Sequence, residues 1–372
     1  MVVIKQVKTR KEIREFVNFP LKLYKNNEYF VPSLYMDELA MFKKNYVYND
    51  QSESIFYNAY IDGKMVGRIQ GILQHASNKK WNQKRVRFTR FDSIDNQEVA
   101  DALFKAIEDW AKQKGMNEVV GPLGYSDLER EGLLIEGFDQ LSTFEEQYNY
   151  PYYQKLIENQ GYIKEVDWVE RQLRAPKEID SKFERLCSLI MRRYKLHFST
   201  AKSTKEFINK YADQFFDIID LTYEPLYQTV PFTKKTKKMM INNFKLIVDI
   251  KYVTVILDEN EKVVCFGLCF PSIAKPIQKC KGHLNIFTIP SVLKALKNPK
   301  VIDLALIGVI PEYQMKGVAS VLIYETMKLL NNGIEYAETN LNLETNAAIQ
   351  NQWKAFDSKL HKRRRAFVKK IN

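Results

Sequence analysis

The sequence predicts two tandem α+β domains, each a mixed, mostly antiparallel sheet between layers of helix, an α/β/α arrangement. Three observations lead there. The chain has 372 residues, too many for one ordinary hydrophobic core. Its halves repeat one order of elements, β-α-β-β-β-α-β. Its composition, 45% hydrophobic and 27% charged, is that of a globular protein, and its 14 glycines are too few for a repeat protein or a large dinucleotide-binding fold.

The first half opens with KTRKEIREFV (8–17), an amphipathic helix with Thr9 at its N-cap. FYNAYIDGKMVGRIQGIL (56–73) then reads as two strands around an Asp62–Gly63 turn. A third strand follows, VRFTRFDSI (86–94), then a helix over 96–115 that stops at glycine, then a strand over 117–123. The second half repeats this order. KSTKEFINKY (202–211) opens a helix behind Ser203, and KYVTVILDENEKVVCFGLCF (251–270) is strand, turn, strand. VIDLALIGVI (301–310) is the third strand, and a helix over 318–333 ends at Gly333 before a strand over 334–342. Between the halves Pro176 breaks a strand and a helix bridges onward, so the expected domains are 1–175 and 176–372. The segment 279–300 interrupts the second half as an inserted helix, a candidate lid over its site.

Composition narrows the function classes. No window is long and apolar enough for a membrane helix, and the N-terminus lacks the apolar core of a signal peptide. Cys187, Cys265, Cys269 and Cys280 show neither paired spacing nor metal-ligand spacing, and Cys265 and Cys269 read as buried thiols. The expectation is a cytoplasmic protein without a metal and without a membrane partner. The net charge is +12, and the last twelve residues hold six cations and no acid. Such a tail reads either as a solvated strand edge or as a surface for an anionic ligand. It contains no nucleic-acid recognition motif, so nucleic acid ranks last among the partners. GxSxG, HExxH and Walker sequences are absent.

The residues that carry chemistry lie in VIDLALIGVIPEYQMKGVASVLIYE. A strand ends at Pro311, and Gln314, Gly317 and Ala319 form Gln-x-x-Gly-x-Ala ahead of an amphipathic helix. A glycine turn there directs the unpaired amides of the helix start into one concavity, which suits phosphate.

This pattern resembles the phosphate-binding loop of the GNAT superfamily of acyl-CoA-dependent N-acyltransferases, over about residues 195–372. The resemblance implies acetyl-CoA or another acyl-CoA as co-substrate. Its pyrophosphate would be held by the amides of Gln314, Met315, Lys316, Gly317, Val318 and Ala319, and its pantetheine along Leu306, Ile307 and Val309. Asn346 matches a position often Asn in the family's next motif. Where family members often carry an acid tyrosine, this chain has Trp353, which cannot deliver a proton at neutral pH. Either another tyrosine such as Tyr324 or Tyr336 does this work, or solvent does, or the domain does not catalyse transfer. Glu344, Glu338 and Asp303 are candidate bases for the amine. The acceptor is expected to be a small-molecule or peptide amine.

The first half resembles a degenerate copy. RFDSIDNQEVADAL (90–103) lacks the loop, and Asp92, Asp95, Glu98 and Asp101 would repel a pyrophosphate. Its distinctive piece is the glycine-rich GPLGYSDLEREGLLIEGFDQ (121–140), which resembles a segment of bacterial proteins pairing two such domains. Three functions stay open at this stage: an acyl-CoA-dependent N-acyltransferase, a non-catalytic acyl-CoA-binding or scaffold protein, and a nucleic-acid-binding protein.

Overall fold

The computed structural model describes residues 1–371, apart from the Leu246 side chain. The first half runs β1 (Val3–Gln6), α1 (Arg10–Leu23), α2 (Tyr35–Ala40), β2 (Ser52–Ile61), β3 (Lys64–Gln74), α3 (His75–Trp81), β4 (Arg85–Ser93), α4 (Gln97–Gln113), β5 (Glu118–Gly121), β6 (Leu133–Glu136), α5 (Tyr152–Glu158) and β7 (Ile163–Arg174). The second half continues with α6 (Ser181–Arg193), β8 (His197–Phe198), α7 (Thr204–Tyr223), α8 (Lys234–Ile247), β9 (Val253–Leu257), β10 (Val263–Pro271), α9 (Ala274–Lys279), α10 (Ile289–Lys297), β11 (Val301–Val309), α11 (Pro311–Gln314), α12 (Val318–Leu330), β12 (Tyr336–Thr339), β13 (Asn342–Leu343), α13 (Ala347–Gln352) and β14 (Asp357–Lys370). The α+β class is as the sequence predicts. In each half the sheet is mixed and mostly antiparallel.

Two compact units form. The first contains Met1–Val169, Ile273–Val292 and the chain from His361 onward; the second contains Glu170–Ser272 and Leu293–Leu360. The units therefore exchange segments that a single cut near Pro176 would keep apart. The inserted piece, expected as a lid, has its base on the first unit. The Tyr35 N–H donates to Gly282 O at 2.9 Å, Gln278 Nε2 donates to the carbonyls of Glu28 and Phe30, and His283 stacks on Tyr35 with centroids 4.1 Å apart.

In the first unit, local chemistry sets the elements. Thr9 and Glu12 form a reciprocal capping box at the start of α1. Asp62 and Gly63 both take positive φ, +48° and +75°, as the tight turn between β2 and β3 requires. Asn96 caps α4. The buried stripe Val99, Leu103, Phe104, Ile107 and Trp110 packs α4 on β3. That approach needs Gly67 and Gly71. A Cβ on Gly67 would lie 2.9 Å from Leu103 Cδ1, and one on Gly71 would lie 3.0 Å from Ile107 Cδ1. Parallel pairing of β4 with β5 covers only Arg85–Arg87, so the two strands then part.

The basic C-terminal tail is neither a solvated edge nor a free cationic surface. β14 pairs with β5 and β6, and Lys362 and Arg364 are buried. Arg365 makes two parallel bonds to the Asp167 carboxylate at 2.8 and 3.0 Å, and Lys369 reaches Glu108 at 2.8 Å. Arg365 and Lys369 are therefore committed to carboxylates of the first unit.

In the second unit β11 runs antiparallel to β10 and parallel to β12. α12 packs against β10, where Gly267 makes room for Leu322. Cys265 and Cys269 are the buried thiols expected, and burial pushes both up to about 12.

Candidate functional site

The site in the second unit starts from a divergence of strands. β11 and β12 pair from Val301↔Tyr336 to Leu304↔Thr339 and no further, and the Asn340 N–H closes the contact on Leu304 O. Ala305–Val309 continue without a β12 partner. Their outward backbone groups form an open strand edge of the kind that can accept an extended chain.

The loop beyond β11 explains each residue of its motif. Pro311 opens the one-turn helix α11, where its missing N–H costs nothing. Gln314 ties the turn shut, its Nε2 donating to Val309 O at 3.1 Å. Gly317 takes φ +76°, a left-handed conformation that glycine adopts without penalty. It is also close-packed, since a Cβ there would lie 3.1 Å from Ile190 Cδ1. α12 begins at once, without any side-chain cap. The Ser320 N–H donates to Gly317 O at 2.9 Å, which leaves the amides of Val318 and Ala319 without an acceptor in the helix, at the positive end of its dipole. Lys316 adds a cation beside them, held over the Tyr313 ring at 4.0 Å. Met315 is almost fully exposed on the outer side of the turn.

Sequence reading missed one residue here. The Tyr223 hydroxyl, at the end of α7, donates to Ile307 O at 3.2 Å and accepts from the Ile307 N–H at 3.3 Å. It covers both polar groups of a residue on the open edge. No motif marks this tyrosine; only the packing of α7 on β11 brings it there.

The remaining sequence candidates scatter. Asp303 and Glu338 are register partners on β11 and β12, both buried, immediately before the strands part. Tyr336 pairs with Val301 at the opposite end of β11 from the loop, under the Arg174 guanidinium. Glu344 lies exposed on the turn after β13. Asn346 caps α13, accepting from the Ile349 N–H at 3.3 Å. Tyr324 sits on α12 edge-on to Phe183, and partial burial and then Glu184 push its phenol up. Trp353 is a core side chain, with its indole N–H donating to Asn342 Oδ1 at 2.7 Å and its ring packed near Phe356.

The first unit holds a second concentration of polar groups, around the glycine-rich segment. A bulge turns β4 at Arg90, whose φ of +48° is unusual for a non-glycine residue. The Arg90 guanidinium reaches Glu38 at 3.1 and 3.2 Å and Gln70 Oε1 at 3.0 Å. Arg68 bonds Asp92 at 2.7 Å and lies 3.5 Å from Glu38. Asp92, read from sequence as a repelling charge, is thus neutralised in an ion pair and also accepts from the Tyr24 hydroxyl. Burial works against the charge on Glu38, but Arg90, then Arg68 and Arg130, hold it below the usual carboxylate range. Tyr125 stacks on Tyr48 and takes a hydrogen bond from Gln70 Nε2 at 2.7 Å. Glu129 accepts from the Tyr125 N–H at 3.0 Å, yet burial raises it. Glu131 differs from all of these. It is 3% exposed, its Oε1 has no hydrogen-bond partner among the described residues, and burial pushes it well above the carboxylate range. The sequence signalled this loop by its glycines but not Arg68 and Arg90, which β3 and β4 bring to it, nor Tyr48 from the turn before β2.

No protein-family profile matches this chain. It is 24% identical to Protein YghO of Escherichia coli (strain K12), over 97% of this chain and 94% of that protein. It is also 24% identical to a protein named bacterial ceramide synthase from Caulobacter vibrioides (strain NA1000 / CB15N), over 92% of this chain and 91% of that one. Among solved structures it resembles a tandem GNAT protein from the clavulanic acid biosynthesis pathway, solved without AcCoA, with a TM-score of 0.57 at 9% identity over 100% of this chain and 99% of that one. A GCN5-related N-acetyltransferase from Sphaerobacter thermophilus superposes with a TM-score of 0.53 at 9% identity, over 100% and 96% of the two chains. At such identity the likeness is one of fold: the chain has the tandem GNAT fold.

Proposed function

We propose that this protein is an acyl-CoA-dependent N-acyltransferase whose second unit holds the donor. One observation carries the reading. A left-handed glycine, Gly317, directs the uncapped start of α12 to the end of a strand whose neighbour has just diverged. That arrangement supplies amides for a pyrophosphate and an open backbone edge for pantetheine. The fold neighbours support acyl transfer in general.

In the proposed reaction the amine nitrogen attacks the thioester carbonyl. The C–N bond forms, the C–S bond breaks, and the nitrogen loses a proton. The thiolate leaves and takes up a proton from solvent. Donor amides on Ala305–Val309 would stabilise the developing oxyanion, and ordering of the two reactants supplies the rest of the acceleration. The buried Asp303 and Glu338 stand nearest to the divergence of the strands and are the proposed proton acceptors. For the acceptor we propose a long-chain amine. Ceramide is the amide of such an amine with a fatty acid, and the Caulobacter relative is named for making it.

Trp353 favours a second reading, a protein that binds acyl-CoA without turning it over, because no phenol occupies that position. Two measurements on the full chain decide between them. Calorimetry with acetyl-CoA and a long-chain acyl-CoA should show binding. Thiol release should then follow on adding a long-chain amino alcohol. Absence of binding at millimolar concentration rejects both readings, and binding without release for any amine in a broad panel supports the second.

A further inference from the structure

We propose that Leu284–Lys297 is a docking surface for an anionic lipid bilayer. The base of this segment is fixed. A Cβ on Gly282 would collide with Ser33 O, so α9 and its turn sit tightly on the 28–35 segment. The residues just beyond are exposed. Phe287 is 83% exposed, Ile286 76% and Leu293 57%, with Leu284 and Ile289 also open to solvent. The exposure is that of an ordered turn. Asn285 Oδ1 accepts from the N–H groups of Phe287 and Thr288, and the Asn285 N–H donates to Thr288 Oγ1 at 2.8 Å. α10 follows with no buried residue at all. Val292, Ala295 and Leu296 of this nine-residue helix are half-buried, but Ile289 and Leu293 are exposed, an apolar surface that a partner would cover.

Charge identifies that partner. Residues 262–302 contain seven lysines and neither Asp nor Glu. Lys294 and Lys297 stand on α10 itself, and Lys279 and Lys281 precede the exposed turn. Large exposed apolar side chains in a segment whose only charged residues are lysines match the interface of an anionic bilayer. No helix among the described residues is long and apolar enough to cross a membrane, so the contact proposed is to its surface.

The test uses the full chain and sedimenting vesicles of phosphatidylcholine, with or without about one third phosphatidylglycerol. The wild type should bind the anionic vesicles and release at high salt. Ile286→Asp/Phe287→Asp should weaken binding about tenfold or more while leaving the melting temperature unchanged, because both side chains are in solvent. Lys294→Glu/Lys297→Glu provides a second reading that leaves the apolar tip intact, with a loss of about fivefold or more for each charge. Equal binding to neutral vesicles, no binding to either kind, or unchanged binding by both variants overturns the proposal. A wild-type dimer that Phe287→Asp converts to monomer, with no vesicle binding, overturns it in favour of self-association. None of these readouts depends on acyl transfer.

Discussion

The Tyr223 hydroxyl closes on both backbone polar groups of Ile307, giving a hydrogen bond to the carbonyl at 3.2 Å and receiving one from the N–H at 3.3 Å. This side chain thereby stands on the strand edge proposed for pantetheine. An incoming acyl-CoA would exchange these two bonds for its own. Tyr223→Phe removes the competitor, so acetyl-CoA should bind severalfold more tightly by calorimetry. The same change should cost about 1 kcal/mol of stability in a denaturant melt. Weaker binding by the variant would show that the hydroxyl contacts the ligand rather than guarding the strand.

Gly317 separates backbone strain from charge. Gly317→Ala forces an alanine to φ +76° and should cost about 1–2 kcal/mol of stability. Gly317→Glu adds a carboxylate where the pyrophosphate is proposed to sit. Its acyl-CoA affinity should fall at least about tenfold below that of the alanine variant. Equal affinities for the two variants would remove this loop from the binding site.

Trp353 should behave as a core residue. Trp353→Phe leaves Asn342 Oδ1 without its 2.7 Å donor and should lower stability by about 1–2 kcal/mol. Thiol release per folded molecule should be unchanged. A loss of turnover without loss of stability would return the indole to the site.

Arg68 anchors the polar network of the first unit. Arg68→Met leaves the buried Asp92 and Glu38 carboxylates with less counter-charge and should destabilise by about 3–5 kcal/mol in urea. Adding Asp92→Leu should restore part of that loss, because the stranded charge is then gone.

Glu131 gives a pH signature. Its folded pKa is raised well above its unfolded value, so the folded state binds the extra proton between the two. Stability should therefore fall as pH rises from the unfolded carboxylate value toward the folded one. Glu131→Gln, which carries no titratable proton, should melt higher than wild type at pH 8. The gap should narrow as the pH falls toward 4.5, about where an unfolded Glu titrates. A constant gap across that range would mean that Glu131 is not the group that titrates.

Apart from α2, α3, β6, α5 and α8, which it did not mark, the sequence by itself determined the α+β class and the seven-element order that recurs in both halves. Those follow from local rules: apolar periodicity, Thr9 and Ser203 at helix starts, and Asp62–Gly63 at a tight turn. It also marked the Gln314–Ala319 turn, because a left-handed turn favours glycine at a defined place. Tertiary structure alone decided the rest. A charge's meaning depends on its neighbours across strands, which spacing cannot reveal. So Asp92 became half of an ion pair, and the arginines of the C-terminal tail became internal partners of Asp167 and other carboxylates. Tyr223 reached Ile307, 84 residues away, only through helix packing. The units exchange chain segments for the same reason. Strand pairing is satisfied by whichever backbone edge lies nearest in space, whatever its distance along the chain.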